Sequence, residues 1–417
     1  MISPSVVTML VDLETQSTAQ SSKSSNYTTL LNQIVSNPHI LQLPPDLAAF
    51  IDSILGDSLG IVAARPLLAA YVDALQRIDS AEVKIEAGQH ALQALQSRVV
   101  SFEEQDALLR EIVADAYQEQ ENYVDAAKTL QGIQLESSQR TVSDDAKVKV
   151  WIRICRLYLE EDDTTSAESY LNRAKNLLYK VDDKELHLKF QLSQARILDA
   201  RRKFLDASQV YHTFSMSTVL DEDERSHALS SAIKCAVLAP AGPQRSRALG
   251  KLFKDERTSQ LEEFGILEKM FLDRLISQSE VDKFARKLAS HQLAQTADGS
   301  TVLAKAVTEH NLLGASRLYN NISVIELGTL LGLDADKAEG YAARMLEQGR
   351  LTGRIDQINN IIFFDGREGT GAKGIASGGG LQRWDINVQG LTEEVERVTS
   401  LLQSQYSAFR SLQGIVV

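Results

Sequence analysis

Gly369, Gly371 and Gly374 complete a G-x-G-x-x-G pattern directly after the apolar run Ile361–Phe364, the order in which a dinucleotide-binding turn follows its strand. That chemistry needs a helix to open inside the motif, so that its first amides cradle a pyrophosphate. The residues that follow are Ile375-Ala-Ser-Gly-Gly-Gly380, which cannot start one. A phosphate loop is excluded as well, because Lys373 precedes a glycine and the glycine spacing is wrong. The seven glycines from Gly366 to Gly380 read as a flexible linker. The seven histidines are scattered, with no H-E-x-x-H and no H-x-H followed by Asp. His291 and His310 flank Ala297-Asp-Gly-Ser300 and read as structural. Cys155 and Cys235 each sit in an apolar helical stretch, without a nucleophile signature or zinc-ligand spacing. They read as reduced core thiols of a cytosolic or nuclear protein. The expectation is a chain that is not an enzyme, with no catalytic residue, no cofactor and no metal.

The bulk composition narrows the remaining classes. The chain has 417 residues, 43% hydrophobic and 24% charged, which suits a globular protein of more than one domain. Only seven prolines occur, none after Pro243, and helix formers dominate. The formal net charge is −12, whereas a protein built to neutralise phosphates carries excess Lys and Arg. The densest basic cluster, Arg201-Arg202-Lys203, lies within a helical repeat and reads as a solvated turn or a local partner contact. Nucleic acid is therefore not the expected partner. The N-terminus lacks a basic n-region, and no apolar window is long enough to span a bilayer, so a membrane is not expected either.

A repeat organises the first half. Ala126, Ala167, Ala207 and Ala248 lie 41, 40 and 41 residues apart, and each is followed by an apolar helix. Tyr117, Tyr158 and Leu198 precede the first three by nine residues. Each unit reads as helix, polar turn, helix, with the small alanine letting the second helix pack closely on the first. One such hairpin cannot bury its apolar face alone, so neighbours must stack. Ser101–Glu104 and Thr165–Glu168 fit capping boxes at helix starts. Thr15–Asn26 is Ser/Thr/Gln-rich and reads as a mobile linker.

Residues 319–365 change character. Ser323–Glu326 fits a capping box, and Gly332 a C-cap after Leu331. Asp334 caps a second helix to about Gln348, which Gly349 closes. Leu327, Leu330, Leu331, Ala338, Tyr341, Ala342, Met345 and Leu346 form the expected core. Two β-rich runs, Leu351–Asp356 and Asn360–Asp365, flank a turn at Gln357–Asn360 and form a hairpin. Helix, turn, helix and hairpin make a winged helix. Its second helix sets Lys337 and Arg344 against Asp336, Glu339 and Glu347, a poor charge balance for reading a major groove. The competing use is pairing along an open sheet edge, for which Ile361 and Phe363 of the wing are the candidates.

Helical repeats followed by a winged helix is the plan of the PCI-domain family, found in the proteasome lid, the COP9 signalosome and a translation initiation factor. Ala297–Phe364 resembles the signalosome's PCI subunits, most tellingly in Ala297-Asp-Gly-Ser300, Glu309-His-Asn-Leu-Leu313, Leu318-Tyr-Asn-Asn-Ile322, Glu347-Gln-Gly-Arg-Leu351 and Ile355-Asp-Gln-Ile358. Weaker resemblance covers nearly the whole chain, the N-terminal linker and the glycine-rich insert excepted. It implies a mainly α fold: a right-handed superhelical array of TPR-like repeats, then a winged-helix PCI module with a small β-hairpin wing and a C-terminal helix. The expected divisions are a tail at 1–26, a solenoid at 27–200, a PCI domain at 201–366, a linker at 367–390 and a bundle helix at 391–417. It also implies a non-catalytic scaffold in a complex that removes the ubiquitin-like modifier Nedd8 from cullin–RING ubiquitin ligases. The implied partners are other PCI subunits, the zinc isopeptidase subunits and the cullin–RING ligase, in the cytoplasm and nucleus. A scaffold subunit of the proteasome lid is the related alternative, and Leu318–Ile322 and Gly353–Ile358 argue against it.

Three further surfaces are candidates for contact. Leu391, Val395, Val398, Leu402, Phe409 and Leu412 fall on a heptad seam, expected to enter a bundle with partner helices. Glu160, Glu161 and Asp162 form an acidic face beside a repeat turn. Asp298 and Gly299 lie in the loop Thr296–Thr301, where a regulatory contact and a plain solvated connection are both open.

Overall fold

The computed structural model describes residues 3–15, 20–36, 42–56, 59–136, 141–295 and 299–365, together with 388, 391–392 and 394–401. The chain divides into two compact units, residues 1–240 with 247–311, and residues 241–246 with 312–417.

The first unit is helical throughout its described length, apart from an isolated bridge between Gln295 and Thr301. Its helices open with α1 (Pro4–Thr15), α2 (Gln20–Val35), α3 (Leu43–Ile54), α4 (Ile61–Gln76) and α5 (Ala81–Leu95). The Ser-rich stretch read as a linker enters α2 at Gln20. It does so because Tyr27, Leu30, Leu31 and Ile34 bury one face of that helix, and tertiary burial outweighs a polar N-terminal half. Val6, Leu10 and Leu13 of α1 join the same core, so the tail is packed.

Three hairpins follow: α6 (Glu103–Glu119) with α7 (Tyr123–Gln131), α8 (Asp144–Glu160) with α9 (Thr164–Leu178), and α10 (Lys184–Ala200) with α11 (Phe204–Ser215). Ala126, Ala167 and Ala207 occupy the same place, near the start of each second helix, and are fully buried. The turns share one device. Glu121, Asp162 and Arg202 adopt φ of 59°, 58° and 60°, and the next amide in each returns to the carbonyl of Tyr117, Tyr158 or Leu198 at 2.9, 3.0 and 2.8 Å. These are Schellman closures, and Tyr117, Tyr158 and Leu198 supply their carbonyls. The repeat therefore lives in backbone chemistry as well as in packing. The tyrosines also accept hydrogen bonds from the preceding unit, Gln89 to Tyr117 and Gln131 to Tyr158.

The helix starts differ from expectation by one or two residues. Phe102 precedes α6 with no side-chain cap, and Asp163 rather than Thr165 caps α9, accepting from the amides of Thr165 and Ser166 at 3.1 Å each. A carboxylate placed before the threonines reaches the same orphan amides more readily than a hydroxyl.

Left-handed residues with a Cβ carry a cost of about 1 kcal/mol that glycine avoids. Asp162 is exposed at such a position. Asp162→Gly is therefore expected to raise the melting temperature of the isolated chain by a few degrees. The same change at Asp145, a right-handed position inside α8, should lower it. Calorimetry of the two variants checks the pair, and equal shifts would contradict the strain.

The first unit continues with α12 (Glu222–Leu238), α13 (Pro243–Phe253), α14 (Phe264–Phe271), α15 (Gln278–Ala285) and α16 (Val302–Leu318), the division between units falling within α13 and α16. Ala248 on α13 is buried like its three counterparts.

The second unit holds the winged module: β1 (Asn321–Ser323), α17 (Val324–Leu331), α18 (Ala335–Glu347), β2 (Gly353–Asp356) and β3 (Ile361–Phe364). The three strands form an antiparallel sheet in the order β1-β3-β2. Leu327, Ala338, Ala342, Met345 and Ile362 are fully buried at its centre, with Leu330, Leu331 and Leu346 packed against them. Gly332 closes α17 at φ 68°, and Ser323 caps it through the Glu326 amide. At Gly353 a Cβ would meet the Phe363 carbonyl oxygen at 2.2 Å, so the β2–β3 pair closes only over glycine.

Candidate interaction surfaces

The acidic face at the second repeat turn is only partly free. Glu160, the last residue of α8, takes a salt bridge from Arg196 of α10 at 2.8 Å. Arg153 pairs with Asp115 and Arg201 with Glu168 in the same manner, so carboxylates and guanidiniums tie successive hairpins together. Glu161 and Asp162 remain exposed. Charge reversal at Glu160 would break an internal pair, which makes Glu161 and Asp162 the cleaner probes of an external contact.

The wing differs from expectation in one respect that changes its use. Ile361 and Phe363 lie on β3, the central strand, bonded to β1 on one side and β2 on the other. They cannot offer an open edge. The strand that does is β2, from Gly353 to Asp356, with three-residue β1 as the opposite edge. Phe363 instead lies under the Arg354 guanidinium at 4.8 Å. Beside the β2 edge, Asp356 accepts from the amides of Ile358 and Asn359 at 3.1 and 3.2 Å, fixing the hairpin turn. The Asn359 side chain, which donates to the same carboxylate at 2.9 Å, and after it these backbone amides hold the Asp356 carboxyl below its ordinary range. The fixed turn leaves Ile358 93% exposed. On α18, Arg344 is already engaged: it covers Tyr341 at 4.6 Å and donates to the Gly340 carbonyl.

The loop before α16 is closed by the bridge between Gln295 and Thr301, and the Thr301 hydroxyl accepts from the Ala304 amide. Gly299 is exposed at φ 74°, while Asp298 lies outside the described residues. The Glu309-His-Asn motif gains a structural meaning. Asn311 accepts from the Ile276 amide at 3.0 Å and donates to its carbonyl at 3.1 Å, and His310 meets the Arg274 carbonyl at 2.9 Å. Two adjacent side chains thus satisfy backbone groups of the connection between α14 and α15, in which Ile276 is buried. Asp199 of α10 holds Gln292 in a similar way, through both carboxylate oxygens. Sequence reasoning read His310 as structural but named no partner for it, for Asn311 or for Gln292, because the partners lie 35 or more positions away.

At the C-terminal end, residues 394–401 are helical. Leu391, Val395 and Val398 are 70%, 56% and 49% exposed, so the described part of the seam is uncovered. Leu402, Phe409 and Leu412 lie outside the described residues, as do the three glycines of the G-x-G-x-x-G pattern.

The thiols are buried and inert. Burial pushes the Cys155 thiol up to about 12, and burial followed by Asp199 raises Cys235. His187 and His310 each meet one backbone carbonyl, and His90, His212 and His291 each approach one carboxylate. Among the described residues no group of three or more His, Cys, Asp or Glu is gathered to hold a metal, and no helix is long and apolar enough to cross a membrane.

Comparison with known proteins places this architecture. Residues 5–223 match the family described as PSMD12/CSN4, N-terminal, and residues 268–365 match the PCI domain. The COP9 signalosome complex subunit 4 of Emericella nidulans is 56% identical over 407 residues, covering 96% of this chain and 98% of that protein. The subunit of the same name from Neurospora crassa is 48% identical, covering 93% and 94%. That of Arabidopsis thaliana is 40% identical, covering 91% and 94%. These alignments reach both units of the structure, and the chain belongs to the COP9 signalosome subunit 4 family of PCI-domain proteins.

Proposed function

We propose that this protein is a non-catalytic scaffold subunit of a COP9 signalosome, supporting removal of Nedd8 from cullin–RING ligases by assembly and substrate docking. The observation that carries the reading is identity of 40–56% sustained over at least nine-tenths of the chain, through both the helical repeats and the winged module. In this reading the β2 edge and the Ile358 turn meet neighbouring PCI subunits by strand addition. The seam from Leu391 enters a helical bundle with them. The repeats engage the cullin–RING ligase, the exposed Glu161 and Asp162 attracting a basic surface. The loop around Gly299 makes a regulatory contact with the zinc isopeptidase subunits, which supply the hydrolysis. The protein works in the cytoplasm and the nucleus.

A direct assay tests the catalytic part. The isolated chain is expected to leave a Nedd8–cullin conjugate uncut, with or without added zinc, while a complex reconstituted with the other subunits cleaves it. Activity of the isolated chain that survives stringent purification and is lost with a chelator would overturn the reading.

A further inference from the structure

A recess of about 550 Å³ opens in the first unit between α7, the connection that follows it, α8 and α9. The aromatic residues Trp151 and Tyr170 and the amide residues Gln131, Gln134 and Asn176 are among those that line it. Tyr170 is stacked on Tyr158, with ring centroids 6.2 Å apart, and the Arg173 guanidinium lies over the Tyr170 ring at 5.0 Å. The stack fixes both the ring and the cation before anything binds, which lowers the ordering cost of association. Leu130, Ile133 and Ile154 line the recess with apolar surface.

Arg110, Arg153, Arg196 and Arg201 all pair with carboxylates of their own chain. Arg173 is exposed, and its contact within the chain is the Tyr170 ring. An arginine held on an aromatic face with its donors open is arranged for bidentate recognition of a carboxylate. The amides of glutamine and asparagine each offer a donor and an acceptor, the pair that an extended peptide backbone presents in reverse. Glu136, in the connection after α7, also lines the recess, so the attraction of an acidic side chain rests on Arg173.

We propose that this recess docks an extended peptide segment of a partner protein, with an apolar or aromatic side chain against Trp151 and Tyr170 and an adjacent acidic side chain on Arg173. The backbone of the segment is read by Gln134 and Asn176, the Gln131 amide already donating to the Tyr158 hydroxyl. The inference does not rest on which complex the chain joins.

The test uses the full chain. Random dodecapeptides displayed on phage are selected against it, and the recovered peptides are synthesised with a fluorophore for anisotropy titration. They are expected to share an acidic residue beside a Leu, Phe or Trp. Arg173→Glu should weaken their binding by about tenfold or more, in keeping with loss of a charge-assisted pair. Asn176→Ala should weaken it less, and Lys175→Glu, on the same helix outside the recess, should leave it within about twofold. Circular dichroism melts of the three variants establish that each is folded, and Arg173→Lys serves as a second variant should Arg173→Glu not fold. Recovery of no peptide, of peptides without an acidic residue, or of binding that Lys175→Glu weakens as much as Arg173→Glu would overturn the proposal.

Discussion

Met345→Asp should unfold the winged module and leave the helical repeats standing. Met345 is fully buried with Leu327, Ala338, Ala342 and Ile362, and this cluster forms the core of the module. A carboxylate there has no partner among these apolar side chains, so it either stays charged at a large desolvation cost or is protonated against its ordinary range. The expected loss is about 4 kcal/mol or more, a large share of what a small domain holds. Hydrogen exchange read by mass spectrometry should show residues 322–364 losing protection while 103–215 keep theirs. Incorporation into the complex should fall with it. Met345→Leu conserves volume and should cost about 1.5 kcal/mol at most. Native-like protection across 322–364 in Met345→Asp would mean that the position is not core.

The second large effect is expected at the C-terminus, on assembly and not on the fold. Removing everything after Gln389 should leave the isolated chain's melting temperature nearly unchanged, yet abolish most of its incorporation into the complex. Leu391, Val395, Val398 and Leu401 are all about half exposed or more, so the described part of this helix buries little against its own chain. A single amphipathic helix of this length is marginal in water. Covering its seam would contribute about 1.5–3 kcal/mol for each large apolar side chain, before ordering entropy is subtracted. That gain is available only where partners supply the other face. A melting curve beside a co-purification assay reads both halves, and a large drop in melting temperature would place the helix on its own domain.

What the sequence revealed and what it hid follow from the range of the interactions. Ala126, Ala167 and Ala207 were legible because close helix packing admits only a small residue, and the constraint recurs with the repeat. The winged module was legible because Ser323, Gly332 and Gly349 punctuate it locally and its buried positions follow the helical period. Strand β1 was not, since three residues are too few to show an alternation. Its absence from the sequence reading turned β3 from a central strand into an edge, and Ile361 and Phe363 into contact residues. The Ser-rich start of α2 misled by composition, because the residues that hold it helical lie downstream. The ion pairs that tie Glu160 to Arg196 and Glu168 to Arg201 depend on how hairpins stack, which no local pattern encodes.

The central claim is membership of a signalosome as a scaffold held by its PCI module. It is tested most directly by purifying the tagged chain from its own cells under gentle conditions and quantifying the co-purifying proteins by mass spectrometry. The account predicts the remaining PCI subunits and the zinc isopeptidase subunits of the signalosome in near-equal amounts, all lost with Met345→Asp. Recovery of proteasome lid subunits instead, or of the chain alone with bound nucleic acid, would contradict it.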